Sequence, residues 1–338
     1  MTAFLSDHFA NRIAVMLRFA RIVVRRLGEE FLAKIAVELE RAVAQRAVTG
    51  EPGSMASRVL GRGDGWHVAD VVCTCGPQDR RFEEQHPFFT IAVVVAGTFQ
   101  YRASLHGPGL AEELMTPGSV LLGNAGQCFE CGHEHGLGDR CLSFRYSRDY
   151  FARIAADAGI SRGQRNFPRL RLPALKYLSP LIAGACAGLV RASPTRWEEV
   201  SVRLAAEAVK LGHGLSPSAS GVPPSTVARV TRTLRMIERN ADRELPLASL
   251  AREAGLSPYH FLRTFEQLTG VTPHRYVRRM RLREAAVRLV SKKENVLDVA
   301  LDCGFGDVSN FNRAFRNEFG ANPRSWKASL EDRLEAAR

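Results

Sequence analysis

Hydrophobic and polar positions divide the chain of 338 residues into stretches of different period. From Phe4 to Arg46, Leu, Ile, Val and Phe recur at helical spacing with Gly28 as the one internal glycine, which predicts one long helix or a helical pair. Thr49 to Ser54 breaks the pattern and Met55 follows directly, so one hypothesis makes Met55 the native start. From Trp66 to about Tyr146 the runs become short, β-branched or alternating, and separated by Gly and Pro: WHVADVVC, FTIAVVV, TFQYRA, SVLLGN and CLSFRY. This texture predicts a small β-sandwich or barrel. Asp149 to Gly214 returns to helical periodicity, notably over Leu178–Val190 and Trp197–Leu211. Such a helical pair either supports self-association or packs on the β-domain. Leu215 to Pro224, rich in Ser and Pro, predicts a linker with a boundary near Ser225.

Beyond that linker, Val227 to Asn240 predicts a bracing helix with Val230, Leu234 and Ile237 on one face, and then a pattern occurs twice. LASLAREAGLSPYHFLRTFEQLTGVTP ends at Pro273, and VLDVALDCGFGDVSNFNRAFRNEFGANP ends at Pro323. Ala251 and Gly255 match Ala300 and Gly304 at an offset of 49, whereas Phe261, Arg263, Phe265, Gly270 and Pro273 match Phe311, Arg313, Phe315, Gly320 and Pro323 at an offset of 50. The second copy therefore carries one more residue in its turn. Helix, glycine turn and aromatic-faced helix is the pattern of a helix-turn-helix that places its second helix in a major groove.

In the first copy Ser257 is the expected cap, with Pro258 in the first turn. Phe261, Phe265 and Leu268 then face inward and leave Tyr259, His260, Leu262 and Arg263 outward. In the second, Asp307 is the expected cap, Phe311, Phe315 and Phe319 form the inner stripe, and Val308, Ser309, Asn310, Asn312 and Arg313 face out. Arg suits guanine, Asn suits adenine, and Leu or Val meets a thymine methyl, so these nine residues are the candidate base readers. An exposed arginine is ordinarily just solvated; the duplicated position of Arg263 and Arg313 favours base contact. Between the copies, His274 to Val290 predicts a stiff helix whose Arg278, Arg279 and Arg283 are candidate phosphate contacts. Pairing with Glu284 or solvation is the alternative for some of them.

Charge sharpens this picture. The formal net charge is +12, and from Thr226 onward 21 Lys and Arg face 14 Asp and Glu, an excess that favours a polyanionic partner. No stretch approaches the roughly 18–20 apolar residues of a membrane span. The N-terminal pattern lacks the short apolar core and cleavage site of a secretion signal, so a cytoplasmic protein with no membrane partner is expected. Seven cysteines, odd in number and irregularly spaced, do not form a disulfide framework and are expected to be reduced.

On AREAGLSPYHFLRTF, RMRLREAAVRLV and ALDCGFGDVSNFNRAFRNEFGANPRSW, residues 226–328 resemble the DNA-binding domain of the AraC/XylS family of bacterial transcription regulators. The resemblance covers roughly a third of the chain. It implies seven helices holding two helix-turn-helix subdomains, promoter DNA as partner, and an activator that contacts RNA polymerase. Leu262 and Val308 depart from the polar residues frequent at those places in the family, so relatives do not predict the target sequence. The family's front domain, most often a cupin-like β-barrel, usually senses a small molecule or mediates dimerisation. Residues 66–146 resemble such a domain in strand pattern and in TPGSVLLGNAG. The expected fold is thus multidomain α+β: a helical extension over 1–54, a cupin-like barrel over 55–148, a helical region over 149–214, a linker over 215–225 and an all-α DNA-binding domain over 226–331.

The front half adds unusual chemistry in Cys128-Phe129-Glu130-Cys131-Gly132-His133-Glu134-His135, with Asp139, Cys141, Cys73, Cys75 and His86 nearby in sequence. Cys128, Cys131, His133 and His135 supply enough thiolate and imidazole for zinc or another soft metal, and for a metal or redox signal. The spacing fits no complete zinc finger, and alternate strand residues point to opposite faces, so ordinary core packing is the competing reading. A cupin-type metal-dependent enzyme fused to a DNA-binding domain is the alternative function; His133, Glu134 and His135 lack the longer-spaced partners it needs. A DNA-repair methyltransferase is disfavoured because no Pro-Cys-His-Arg motif occurs. Catalysis is not expected.

Overall fold

The computed structural model describes residues 36–105, 109–161, 165–190, 197–214, 222–291 and 294–335. The helical expectation from Phe4 up to residue 35 and most of the linker lie outside the described residues. A short helix α1 (Val37–Thr49) precedes strands β1 (Met55–Gly63), β2 (Trp66–Cys73), β3 (Phe82–Gln85), β4 (Phe89–Gly97), β5 (Phe99–Ala103), β6 (Ala111–Met115), β7 (Val120–Gly123), β8 (Cys128–Gly132) and β9 (Asp139–Tyr146). Helix α2 (Arg148–Asp157), the two-residue β10 (Arg171–Leu172), α3 (Ser179–Val190) and α4 (Trp197–Gly214) complete the front half.

The strands form two antiparallel sheets, ordered β1-β2-β9-β4-β7-β10 and β3-β8-β5-β6. Of the sandwich or barrel expected, the β-domain is built as two separate sheets: among the described residues neither sheet closes on itself or joins the other. Their edges are of the kinds that resist pairing. Strand β10 is two residues long, β1 carries Arg58 and Arg62, β3 reads FEEQ, and Glu112 and Glu113 of β6 are tied to Arg102 and Arg171.

Strand β4 explains the arrangement of the core. FTIAVVVAG is buried at every position because the strand is covered on both faces. Ala92 and Val94 face the second sheet with Phe99, Tyr101, Met115 and Cys141. Ile91 and Val93 face the helices, meeting Phe151, Ile182, Leu204 and Val209. The helical pair of residues 178–211 therefore packs on the sheet. One buried ion pair crosses the first sheet: Arg140 Nε and Nη2 donate to Asp70 Oδ1 and Oδ2, both at 2.9 Å.

The C-terminal half is all helical: α5 (Pro224–Asn240), α6 (Leu247–Glu253), α7 (Pro258–Thr269), α8 (Pro273–Ser291), α9 (Val296–Asp302), α10 (Val308–Phe319) and α11 (Pro323–Glu335). It has two cores sharing α8. Val230, Leu234 and Ile237 of α5 pack with Phe261, Phe265, Tyr276 and Val277. Leu282, Ala286 and Leu289 from the other end of α8 pack with Phe311, Phe315, Phe319 and Trp326. The front half enters both, through Leu114 in the first core and Ala183 in the second.

Candidate nucleic-acid interface

Each helix-turn-helix is built by the same local devices. Helices α6 and α9 end just before Gly255 (φ +61) and Gly304 (φ +82), left-handed positions that only glycine takes without strain. At Gly304 a Cβ would also collide with the Asp242 carbonyl. Four residues then separate α6 from α7 and five separate α9 from α10, which locates the added residue of the second copy in its turn. The Ser257 hydroxyl accepts from His260 N at 3.4 Å and Asp307 Oδ1 from Asn310 N at 2.6 Å, so both expected caps form. The acidic cap also opposes the positive helix end.

With Phe261 and Phe265 of α7 and Phe311, Phe315 and Phe319 of α10 buried, the opposite faces are open. Tyr259, His260, Arg263, Ser309, Asn310, Asn312 and Arg313 are exposed, and Leu262 and Val308 are half-buried. Arg263 lies over the Tyr259 ring at 5.9 Å, which orders the two side chains. All nine candidate base readers thus lie on two short helices, both anchored to α8.

A groove of about 1210 Å³ runs beside α10, lined among others by Asn312, Arg313, Arg316, Arg324 and Lys327. The first turns of α9 and α11 border it, capped by Asn295 and Asn322. Helix N-termini and basic side chains together suit phosphate oxygens. Arg316, Arg324 and Lys327 were not singled out from the sequence. The signal existed: Arg316 lies one turn beyond Arg313, and Pro323-Arg324 opens a helix.

Two of the three α8 arginines singled out from the sequence, Arg279 and Arg283, face the front half. Arg279 Nε lies 3.1 Å from Glu318 Oε1, and its Nη1 donates to the Ala174 carbonyl of the front half. Arg283 packs its guanidinium against Gly118 in the β6–β7 turn, where a Cβ would collide with it. Both face the front domain, which covers this side of α8, and neither is presented as a phosphate contact. Arg278 is half-buried, and no ion pair forms on it among the described residues. Arg281 instead staples the subdomains, donating to Ala241 O, Gly304 O and Arg243 O at 2.6, 2.7 and 2.6 Å.

The four proposed metal ligands do not converge. Cys128 is exposed on β8 opposite Gln85, whereas Cys131 of the same strand turns inward beside Tyr101 and His135 is half-buried. Three residues apart on a strand is an odd number, which places side chains on opposite faces. His133 Nε2 instead meets Asp139 Oδ1 at 2.7 Å, with Cys73 close by. His86 is engaged elsewhere: its Nε2 is 2.7 Å from the Tyr101 hydroxyl, and burial, with Arg145, pushes its pKa down to about 4. Among the described residues no helix is long and apolar enough to cross a membrane.

Comparison with known proteins points to the same half of the chain. A family model described as a helix-turn-helix domain matches residues 250–329. The chain is 39% identical over 108 residues to the HTH-type transcriptional activator RhaS of Citrobacter koseri, a match taking in 32% of this chain and 39% of that protein. It is 37% identical over 103 residues to the Transposon Tn10 TetD protein of Escherichia coli, covering 30% of this chain and 75% of that protein. A solved transcriptional regulator of Chromobacterium violaceum with an AraC-type DNA-binding domain is similar at 26% identity and a TM-score of 0.30, over 32% of this chain and 96% of that one. The chain spans about two fifths of the length of the RhaS relatives it matches.

Proposed function

The chain belongs to the AraC/XylS family, and on that premise we propose that it is a sequence-specific transcription regulator that reads promoter DNA through α7 and α10. One observation carries this reading: the two capped helices, of matching build and different outward side chains, are both fixed to α8 and both leave their candidate readers open to solvent. Unequal readers imply a non-palindromic site for each protomer. Phosphate contacts fall to Arg278, Arg316, Arg324 and Lys327 and to the neighbouring helix N-termini. Activation is the direction that the RhaS relatives' name suggests, and RNA polymerase is the partner we assign to it. The front half, clasped to α5, α8 and α10, supplies the signal, and any two-fold symmetry of a homodimer comes from it.

Selection of bound sequences from random duplex DNA tests this. A regulator enriches one asymmetric site whose two elements lie about 10 base pairs apart, one helical turn. An architectural binder would enrich no sequence and would show little difference between specific and non-specific affinity at a stated salt concentration.

A further inference from the structure

We propose that Cys73, His133, Asp139 and Cys141 form a site for one soft divalent metal ion of the zinc class, and that Arg235 and Glu238 of α5 sense its occupancy. The ligand atoms of Cys73, His133 and Asp139 all lie within 4.8 Å of one another. Cys141 Sγ is 3.2 Å from Asp139 Oδ2 but lies outside that 4.8 Å group, so it becomes the fourth donor only by drawing in as the ion binds. The sheet explains the convergence. Cys73 and Asp139 are direct register partners on β2 and β9, so they share a face, and Cys141 follows Asp139 on that face. His133 comes from the turn that joins β8 of the other sheet to β9.

Two thiols, one imidazole and one carboxylate are a donor set for tetrahedral zinc. Zinc–ligand bonds of about 2.0–2.3 Å put neighbouring donors about 3.3–3.8 Å apart. The His133–Asp139 contact of 2.7 Å would therefore open by less than about 1 Å, while the 4.8 Å group would draw in. Charge favours the same answer. The buried Asp70 has Arg140 as partner, whereas the equally buried Asp139 pairs with no Lys or Arg among the described residues. A divalent cation binds the two cysteines as thiolates, displacing their protons to solvent.

The site is gripped from the DNA-binding half. Arg235 Nη2 donates to Leu137 O and Gly138 O, both at 2.6 Å, on the turn leading into Asp139. Glu238 Oε1 accepts from Gly97 N at 2.8 Å, and Gly97 is the register partner of Asp139 on β4. Parting Asp139 from His133 by that fraction of an ångström while Cys73 draws in around the ion moves both anchor points of α5, whose other face packs on Phe261 and Phe265 of α7. Metal binding stands apart from the DNA reading; its regulatory sense rests on the function proposed above.

The test uses the full chain without a histidine tag, stripped by chelator and titrated with cobalt(II) and then zinc(II). One equivalent of cobalt should give a thiolate-to-metal band in the near ultraviolet and tetrahedral visible bands, all abolished by zinc. Cys73→Ser and Asp139→Asn should each weaken zinc about tenfold or more, while Cys128→Ser and His135→Ala should not. Absence of the thiolate band in the unmutated protein overturns the site whatever the variants do, as does loss in Cys128→Ser with retention in Cys73→Ser. Hydrogen exchange should change on zinc addition in residues 133–141 and in α5. Arg235→Ala should keep the first change and lose the second; an unaltered α5 response in that variant overturns the coupling. None of these readouts involves DNA, so their failure leaves the DNA-reading function standing, and failed sequence selection leaves the site standing.

Discussion

Arg278 and Arg279 are neighbours on α8 with different roles, the first expected to act on DNA binding and the second on stability. Arg279 is spent on Glu318 and the Ala174 carbonyl, with side-chain exposures of 16% and 10% for Arg279 and Glu318. Replacing it with Ala removes no phosphate contact but leaves Glu318 without its guanidinium. Between the modest worth of charged hydrogen bonds and the cost of breaking a fully buried pair, the loss should be about 2–3 kcal/mol of stability. The slope of log affinity against log salt should stay unchanged. Arg278→Ala should leave stability within about 0.5 kcal/mol, as surface changes usually do. If Arg278 neutralises one phosphate, its loss reduces that slope by about 0.9. Over a rise from about 50 to 200 mM salt, the variant would then lose affinity about 3.5-fold less than the parent does. Urea unfolding gives the stability, and fluorescence anisotropy on a selected duplex across that salt range gives the slope. A slope reduced by Arg279→Ala, with stability intact, would refute the assignment of Arg279 to the contact between the two halves.

Three further outcomes follow from the geometry. Asp70→Asn should cost about 3–5 kcal/mol near neutral pH, because it takes the carboxylate charge away from the buried guanidinium of Arg140. Burial raises the Asp70 pKa, but the bonds and charge of Arg140, then Arg58, outweigh it and hold it below its usual value. Its stabilisation is therefore complete above about pH 4 and fades as pH falls through the folded-state value, so the gap between parent and variant in urea melts should shrink below about pH 4; a gap constant down to pH 2 contradicts this. Asp307→Ala should destabilise the second subdomain by about 1 kcal/mol through loss of the α10 cap, and Asp307→Asn should restore most of it. Gly304→Ala should cost more than the roughly 1 kcal/mol of a left-handed alanine, since its Cβ also meets the Asp242 carbonyl; thermal melts that match the parent would show that the turn gives way.

The helical half was largely legible because its signals are local. Phenylalanines at i, i+4 spacing, a cap, a glycine turn and a proline recur in both copies, and each side chain's direction follows from its own helix. Arg279 and Arg283 of α8 are harder to read for the complementary reason: periodicity shows which residues share a face, but not that the front half covers theirs. In the β-half, β4 and β9 declared themselves as apolar runs. Strand β1, exposed over its first five residues, and the Glu-rich β3 and β6 carried no such pattern. The metal-ligand candidates show the limit most clearly. Counting along the chain grouped Cys128 with Cys131, whereas the β2–β9 register is what brings Cys73 to Asp139.

The central claim is that two unequal helices of one protomer read two adjacent segments of one site. Methylation-interference footprinting of a selected duplex with the parent, Arg263→Ala and Arg313→Ala measures it directly. Each variant should lose one guanine contact, at positions about 10 base pairs apart, at about 1–3 kcal/mol each, while the other contact persists. Footprints and sequence selectivity left untouched by both changes, or the same position lost in both, would contradict the account.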